Sequence, residues 1–213
     1  TSICGCIIMS GPFGSTTWMS NPSTEFFGHE ITNSCRFEDG DSAYLTRTPD
    51  ASNRKTWTWS SWVKRGNLGL RSIFSAYGGT TNDALTAVIK FDASDRLTFD
   101  AFTFNFLRTN RVFRDPSAWY HIVLAFDTTN ATAANRVRMY INGVEETSFS
   151  ARTNPSEDAD HGINGNYAHD IGRNTYQDTT YYDGYLADVN FIDGLQLTPS
   201  SFGETKNDIW IPK

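Results

Sequence analysis

Residues 135–149 read NRVRMYINGVEETSF, and the fold class turns on this stretch. Val137, Met139 and Ile141 alternate with Arg136, Arg138 and Tyr140, the period of two of a strand that buries one face. Asn142-Gly143 then supplies the positive φ angles of a tight turn, so the chain reverses there and pairs with itself. A strand followed by a hairpin turn, with no helical period on either side, points to antiparallel β-structure.

Working outward, the same period recurs. In KTWTWSSWVKR (55–65), Trp57, Trp59, Ser61 and Val63 share one side. In ALTAVIKF (84–91), Leu85, Ala87, Ile89 and Phe91 oppose Thr86, Val88 and Lys90. RLTFDAFTFNFL (96–107) sets Leu97, Phe99 and Ala101 in line and then changes parity to Phe102, Phe104 and Phe106, which marks a turn or bulge near Ala101. WYHIVLAFD (119–127) groups Tyr120, Ile122, Leu124 and Phe126. The polar stretch from Arg152 to Asp170 reads as loop. DGYLADVNFIDG (183–194) is the last clear strand, and LTPSSFGE (197–204) a short turn with Thr198 or Ser200 as N-cap. Many short strands with no βαβ alternation predict a two-sheet antiparallel jelly-roll sandwich. Trp57, Trp59, Ile122, Leu124, Phe126, Val137, Met139 and Ile141 are then expected inside it.

Composition agrees. The 213 residues suffice for one large sandwich, and aromatic residues reach 14%, a tilt that suits pleated, half-buried surfaces. Residues 1–33 carry no basic residue before the first arginine at Arg36, and no period persists in them. They read as an extended arm that docks on a partner, ahead of a jelly-roll domain over 34–213. The apolar run Ile3–Met9 has no basic residue before it, so it is not read as a signal peptide.

The formal charge is −6, from 18 basic and 24 acidic residues, and no Lys/Arg block stands out. That excludes a phosphate-neutralising stripe for nucleic acid. No segment approaches the ~20 apolar residues of a membrane-crossing helix, so no membrane insertion is expected. Cys4, Cys6 and Cys35 are an odd set. They read as reduced thiols packed as small hydrophobes.

The succession of SCRFEDGDSAYLTRTP (34–49), WTWSSWVKRG (57–66), DPSAWYHIVLAFDTT (115–129), NRVRMYINGVE (135–145) and YYDGYLADVNFIDGLQLTPSSFG (181–203) resembles the laminin-G-like, concanavalin A-like jelly roll. It is most similar to the type found in marine bacteriophage and cyanophage virion proteins. The resemblance implies a non-enzymatic structural protein of a phage particle, made in the host cytoplasm and located in the virion. Other virion proteins and further copies of the chain would be its partners. The alternative it implies is a carbohydrate-binding host-attachment module that recognises a bacterial surface glycan.

Relatives of this kind include glycoside hydrolases, which need two carboxylates about 5–9.5 Å apart. No strand here carries acids in the alternation that would place such a pair, and no nucleophile elbow or Cys/His pair stands out. His29, His121, His161 and His169 read as ordinary, partly exposed histidines. Relatives also hold calcium through loop oxygens, so Glu38, Asp39 and Asp41, or Asp158 with Asp160, are candidate ligands, with turn chemistry as the competing account. In NTYQDTTYYD (174–183), Tyr176, Tyr181 and Tyr182 offer faces for sugar rings while Asn174, Gln177 and Asp183 offer hydrogen bonds. The competing account is a tyrosine-rich loop packed back on its sandwich.

Overall fold

The computed structural model describes residues 31–213, so all of the expected arm except residues 31–33 lies outside the described residues. Two antiparallel sheets face each other. The six-stranded sheet runs, in spatial order, β1 (Cys35–Phe37), β13 (Gly184–Asp193), β3 (Thr56–Arg65), β8 (Tyr120–Asp127), β9 (Val137–Ile141) and β10 (Val144–Glu145). The seven-stranded sheet runs β11 (Phe149–Arg152), β7 (Asn105–Val112), β6 (Arg96–Asp100), β5 (Thr86–Phe91), β4 (Arg71–Tyr77), β12 (His169–Ile171) and β2 (Leu45–Arg47). The jelly-roll sandwich expected from the strand period is present.

Register carries the alternating residues into one core. Trp57 pairs with Phe126 and Trp59 with Leu124, and β9 continues the rows through Leu124–Met139 and Ile122–Ile141. All eight residues expected inside are buried in the main hydrophobic cluster. Trp57 stacks on Phe126 at 4.9 Å between centroids, and Phe99 stacks on Phe106 at the same distance. Each such aromatic pair adds about 0.5–1.5 kcal/mol to the area it buries.

The parity change near Ala101 is a turn between β6 and β7, with the Ala101 N–H donating to the Phe104 carbonyl at 2.9 Å. One difference concerns the polar stretch read as loop. His169 and Asp170 open β12, which pairs with β4 on one side and β2 on the other. Three residues are too few to show a period, so partners on both flanks impose the strand.

Asn142 and Gly143 take φ of 50° and 82°, the expected hairpin turn. Above it lies a third, two-stranded sheet made by β14 (Gly203–Lys206) and β15 (Ile209–Pro212). A Cβ on Gly143 would come within 2.4 Å of the Trp210 ring. Gly143→Ala therefore meets both left-handed strain and a clash. It is expected to lower stability by at least about 1 kcal/mol, read from urea unfolding. An unchanged midpoint would show that Trp210 does not sit there in solution.

This C-terminal hairpin, preceded by a short 3-10 turn at Pro199–Ser201, packs on the outer face of the six-stranded sheet. Thr198 takes the N-cap position of that turn but makes no side-chain capping bond. Phe202 joins Val123, Ala125 and Tyr140 in a second apolar cluster there. One sandwich face is thus covered by the chain's own C-terminal segment. On the outer face of the seven-stranded sheet Ser72, Ser75, Val88, Thr98 and Asp100 are buried, and Lys90, Asn105 and Arg108 are the partly exposed members of its outward rows.

Candidate functional site on the seven-stranded sheet

Ala87, Ile89, Phe91, Leu97 and Phe99 face the core, so their strand neighbours face outward. Pairing then lays two polar rows across that outer face. One row is Ser75–Val88–Asp100–Asn105, and the next is Ser72–Lys90–Thr98–Arg108. The rows are tied together at Asp100. Its carboxylate accepts from Thr98 Oγ1 at 3.1 Å and from Asn105 Nδ2, and pairs with Lys90 Nζ at 2.9 Å. Asp100 is buried although it points outward, with Lys90, Thr98 and Asn105 gathered around its carboxylate.

Residues 173–181 rise over the β4 end of the rows. Ser75 Oγ donates to the Arg173 carbonyl at 2.8 Å, and the Thr175 N–H donates to Ser75 Oγ at 2.9 Å. Ser72 and Thr180 hydroxyls lie 2.9 Å apart. Serines at two outward positions of β4 thus anchor this segment, and that fixes where its tyrosines stand. Tyr176 is 37% exposed, with its ring 5.1 Å from Tyr77 and edge-on to Phe102 at 5.3 Å. Phe102 follows Asp100 by two residues, so this aromatic platform flanks the Ser75–Val88–Asp100–Asn105 row. Tyr181 is partly exposed, donates to Asp178 Oδ1 at 2.8 Å and leans on Tyr44, whose ring Arg173 covers at 3.6 Å.

The six residues expected to bind sugar therefore divide. Tyr176 and Tyr181 reach the surface beside the polar rows. Tyr182 is fully buried: its hydroxyl donates to the Lys64 carbonyl at 2.8 Å, its ring meets Phe37, and burial pushes its pKa up. It is a core residue, because the chain turns inward there to start β13. Asp183 is also buried and accepts the Asn67 N–H at 2.8 Å, so its carboxylate ties a turn. Asn174 and Gln177 bond each other at 3.2 Å.

Of the calcium candidates, Glu38 and Asp39 come together with Asp183, their oxygens within 4.8 Å of one another. Asp41, Asp158 and Asp160 do not join them. Two guanidiniums already serve the group: Arg36 pairs with Glu38 and approaches Asp183 at 4.0 Å, and Arg71 pairs with Asp39 at 2.7 Å. Ion pairing and turn bonds account for these acids.

The histidines depart from expectation. His121, His161 and His169 are all buried, and burial lowers the pKa of each. His29 lies outside the described residues. Each buried ring sits where a strand face meets a loop or hairpin that period alone does not reveal. Cys35 is exposed and unpaired, not packed as a small hydrophobe, and Cys4 and Cys6 lie outside the described residues.

A cavity of about 480 Å³ opens at the seam between β2 and the second half of β13, over Trp59, Phe74 and Phe191. Its polar end is occupied with itself. Asp193 accepts from Ser52 and from Asn164 Nδ2 at 2.8 Å, and the Asn164 N–H donates to His169 Nε2 at 3.0 Å. Arg47 and Asp50 also line it, beside apolar walls, so the cavity is mixed in character.

A family model described as the concanavalin A-like lectin/glucanases superfamily, Laminin_G_3, matches residues 39–200. No match is found among curated protein sequences. Three solved structures illustrate the likeness. A heptameric SAP-like pentraxin from Limulus polyphemus is 16% identical, with a TM-score of 0.52 over 83% of this chain and 77% of its own. A Bacteroides ovatus protein whose suggested role is carbohydrate binding is also 16% identical, with a TM-score of 0.55 over 81% and 46%. Domains LG4-5 of the mouse laminin alpha1 chain are 13% identical, with a TM-score of 0.51 over 79% and 45%. At such identities the likeness is one of fold.

Proposed function

The chain belongs to the concanavalin A-like lectin/glucanases superfamily, and we propose that it is a non-catalytic glycan-binding module acting through the outer face of its seven-stranded sheet. The observation that carries this reading is the exposed Tyr176 ring, braced by Phe102 and Tyr77, beside two interlocked polar rows. A sugar ring laid on Tyr176 would present its hydroxyls to Asn105 and Lys90. An aromatic face with a few convergent polar groups is the usual make-up of such a site. The non-catalytic part rests on Asp100, the one carboxylate in the two rows, which is held by Lys90, Thr98 and Asn105 with no second acid in either row to act opposite it.

Glycan-array screening followed by calorimetry tests the reading. Tyr176→Ala is expected to weaken binding about three- to tenfold, the value of one aromatic stacking contact, while the melting temperature holds. Full binding by that variant would move the site elsewhere. Release of reducing ends from a bound polysaccharide, abolished by changing one acid, would overturn the non-catalytic assignment.

The setting we propose is the surface of a bacteriophage particle, in contact with other virion proteins and further copies of the chain. Its support is the likeness of Asp183–Gly203 and of Trp119-Tyr120-His121 to virion proteins of marine phages. Mass spectrometry of purified particles tests it directly, and consistent absence of the chain from them would end it.

A further inference from the structure

We infer that the glycan held on this face is acidic, carrying carboxylate or sulfate groups that meet Arg96 and Arg108. The inference rests on the glycan-binding reading and adds the class of ligand. Arg96, Thr98 and Asp100 are the outward residues of β6, and Lys90 and Arg108 flank Thr98 in its row. The face thus holds three cations, Lys90, Arg96 and Arg108, against two carboxylates, Asp100 and Asp92, the latter accepting the Arg96 backbone N–H at 3.0 Å, in a chain whose formal charge is −6. Asp100 neutralises Lys90.

The two arginines are left. Among the described residues no carboxylate pairs with either. Arg108 spends its Nε on Ser150 Oγ at 3.2 Å, which steadies the side chain and leaves the terminal nitrogens for a ligand. Arg96 has its Nε buried without an acceptor. The same holds for Arg65 and Arg71, whose guanidiniums nevertheless pair with Asp95 and Asp39, so it is the terminal nitrogens of Arg96, without a carboxylate partner among the described residues, that are left for an anion. Guanidinium groups pair with carboxylate and sulfate oxygens through two parallel bonds, which an acidic sugar supplies and a neutral one does not.

Spacing fits more than one contact. Neighbouring strands lie about 4.8 Å apart, so Lys90 and Arg108, two strands apart across Thr98, are separated by about 10 Å at the backbone. Arg96 stands about 7 Å along β6 from Thr98. The acidic surface elsewhere is screened beyond about 8 Å at physiological salt, so it does not cancel the patch for a ligand in contact with it.

The test titrates the full chain with oligogalacturonate, dextran sulfate and neutral dextran at 50 and 500 mM NaCl. One or both acidic polymers should bind at least about tenfold more tightly than dextran and weaken with salt. The first two arms tell carboxylate from sulfate. Arg108→Gln and Arg96→Gln should each weaken the acidic ligand about tenfold, whereas Arg47→Gln, on the edge strand β2, should not. Circular dichroism confirms that each variant is folded. Equal binding of dextran, or acidic binding that ignores Arg96 and Arg108 or falls equally with Arg47→Gln, overturns the inference while leaving glycan binding intact. Failure of all polymers and of a wider glycan array would remove the glycan-binding reading itself.

Discussion

Asp95→Ala is expected to cost the domain about 3–5 kcal/mol, because it strands a charge in the core. The charge belongs to Arg65, at the end of β3, whose side chain is completely buried. Its guanidinium donates to Asp95 Oδ1 at 3.1 Å, to the Phe113 carbonyl at 2.6 Å and to the Gly69 carbonyl at 2.9 Å, and lies over the Phe91 ring at 4.2 Å. Burial lowers the pKa of Arg65, and Asp95 opposes that shift. Asp95 is held in turn. Burial alone would raise its pKa, but the Gly69 N–H at 2.7 Å, Arg114 at 2.9 Å and Arg65 together keep it below its ordinary value.

A buried pair of this kind is weak evidence of net stabilisation, since both ions lose water. Removing one partner is different, because the other stays buried without its counter-charge. Asp95 also has φ of 65°, so alanine adds left-handed strain. Asp95→Asn tolerates that backbone and keeps an acceptor, and so isolates the charge. It should fall between wild type and Asp95→Ala in urea unfolding. Adding Arg65→Met to Asp95→Ala should recover part of the loss. A loss below about 1 kcal/mol for Asp95→Ala would mean that water or another group reaches Arg65 in solution.

Neither residue is conspicuous in the sequence, and the reason bears on how much of the molecule was legible there. Period two gave the sandwich and its core, because burying one strand face leaves a mark every second residue, as in Trp57, Trp59, Leu124 and Phe126. The hairpin at Asn142-Gly143 was equally open, since its φ angles demand those residue types. Contacts between distant strands leave no such mark. Lys90 could be placed on the outward side of its strand, but nothing local says that Asp100 and Arg108 lie beside it. Tyr176 and Tyr182 look alike in a tyrosine-rich stretch, although one is at the surface and the other in the core. Ser72 and Ser75, which pin that stretch to β4, are more than a hundred residues or nearly so from their partners. Two of the buried histidines share this cause, as His121 lies under the C-terminal hairpin and His161 packs on Phe106 and Phe126. His169 is covered instead by its own neighbours Asn164 and Tyr167.

His121 among them sets the second large effect: stability is expected to fall by about 3 kcal/mol as pH drops from 6.5 to 4. The ring lies under the C-terminal hairpin, 2.9 Å from Ser60 Oγ through Nε2, and it accepts the Trp210 indole N–H at Nδ1 at 3.0 Å. An indole nitrogen can only donate, so Nδ1 carries no proton and Nε2–H donates to Ser60. Trp62, Phe202 and Trp210 rings close the site, and burial alone, with no charged neighbour contributing, lowers the pKa from 6.5 to about 4.

The folded protein thus refuses a proton that the unfolded chain accepts below pH 6.5. Stability is full above that value, declines as pH falls toward 4, and loses no more from this group below it. A gap of about two and a half pKa units, at about 1.4 kcal/mol each, sets a ceiling of about 3.5 kcal/mol, and half-titration at the ends of the range brings the loss within it to about 3 kcal/mol. His161 and His169 are shifted in the same direction and add to the slope. Protonation would also set an N–H against the Trp210 N–H, so acid weakens the contact between the hairpin and the sheet. Urea unfolding from pH 7.5 to 4, followed by tryptophan fluorescence, measures the slope. His121→Gln, which cannot titrate, should remove about 3 kcal/mol of that pH dependence and leave the share of the other two histidines. If the variant and wild type lose stability in parallel across this range, His121 is not the group that senses acid.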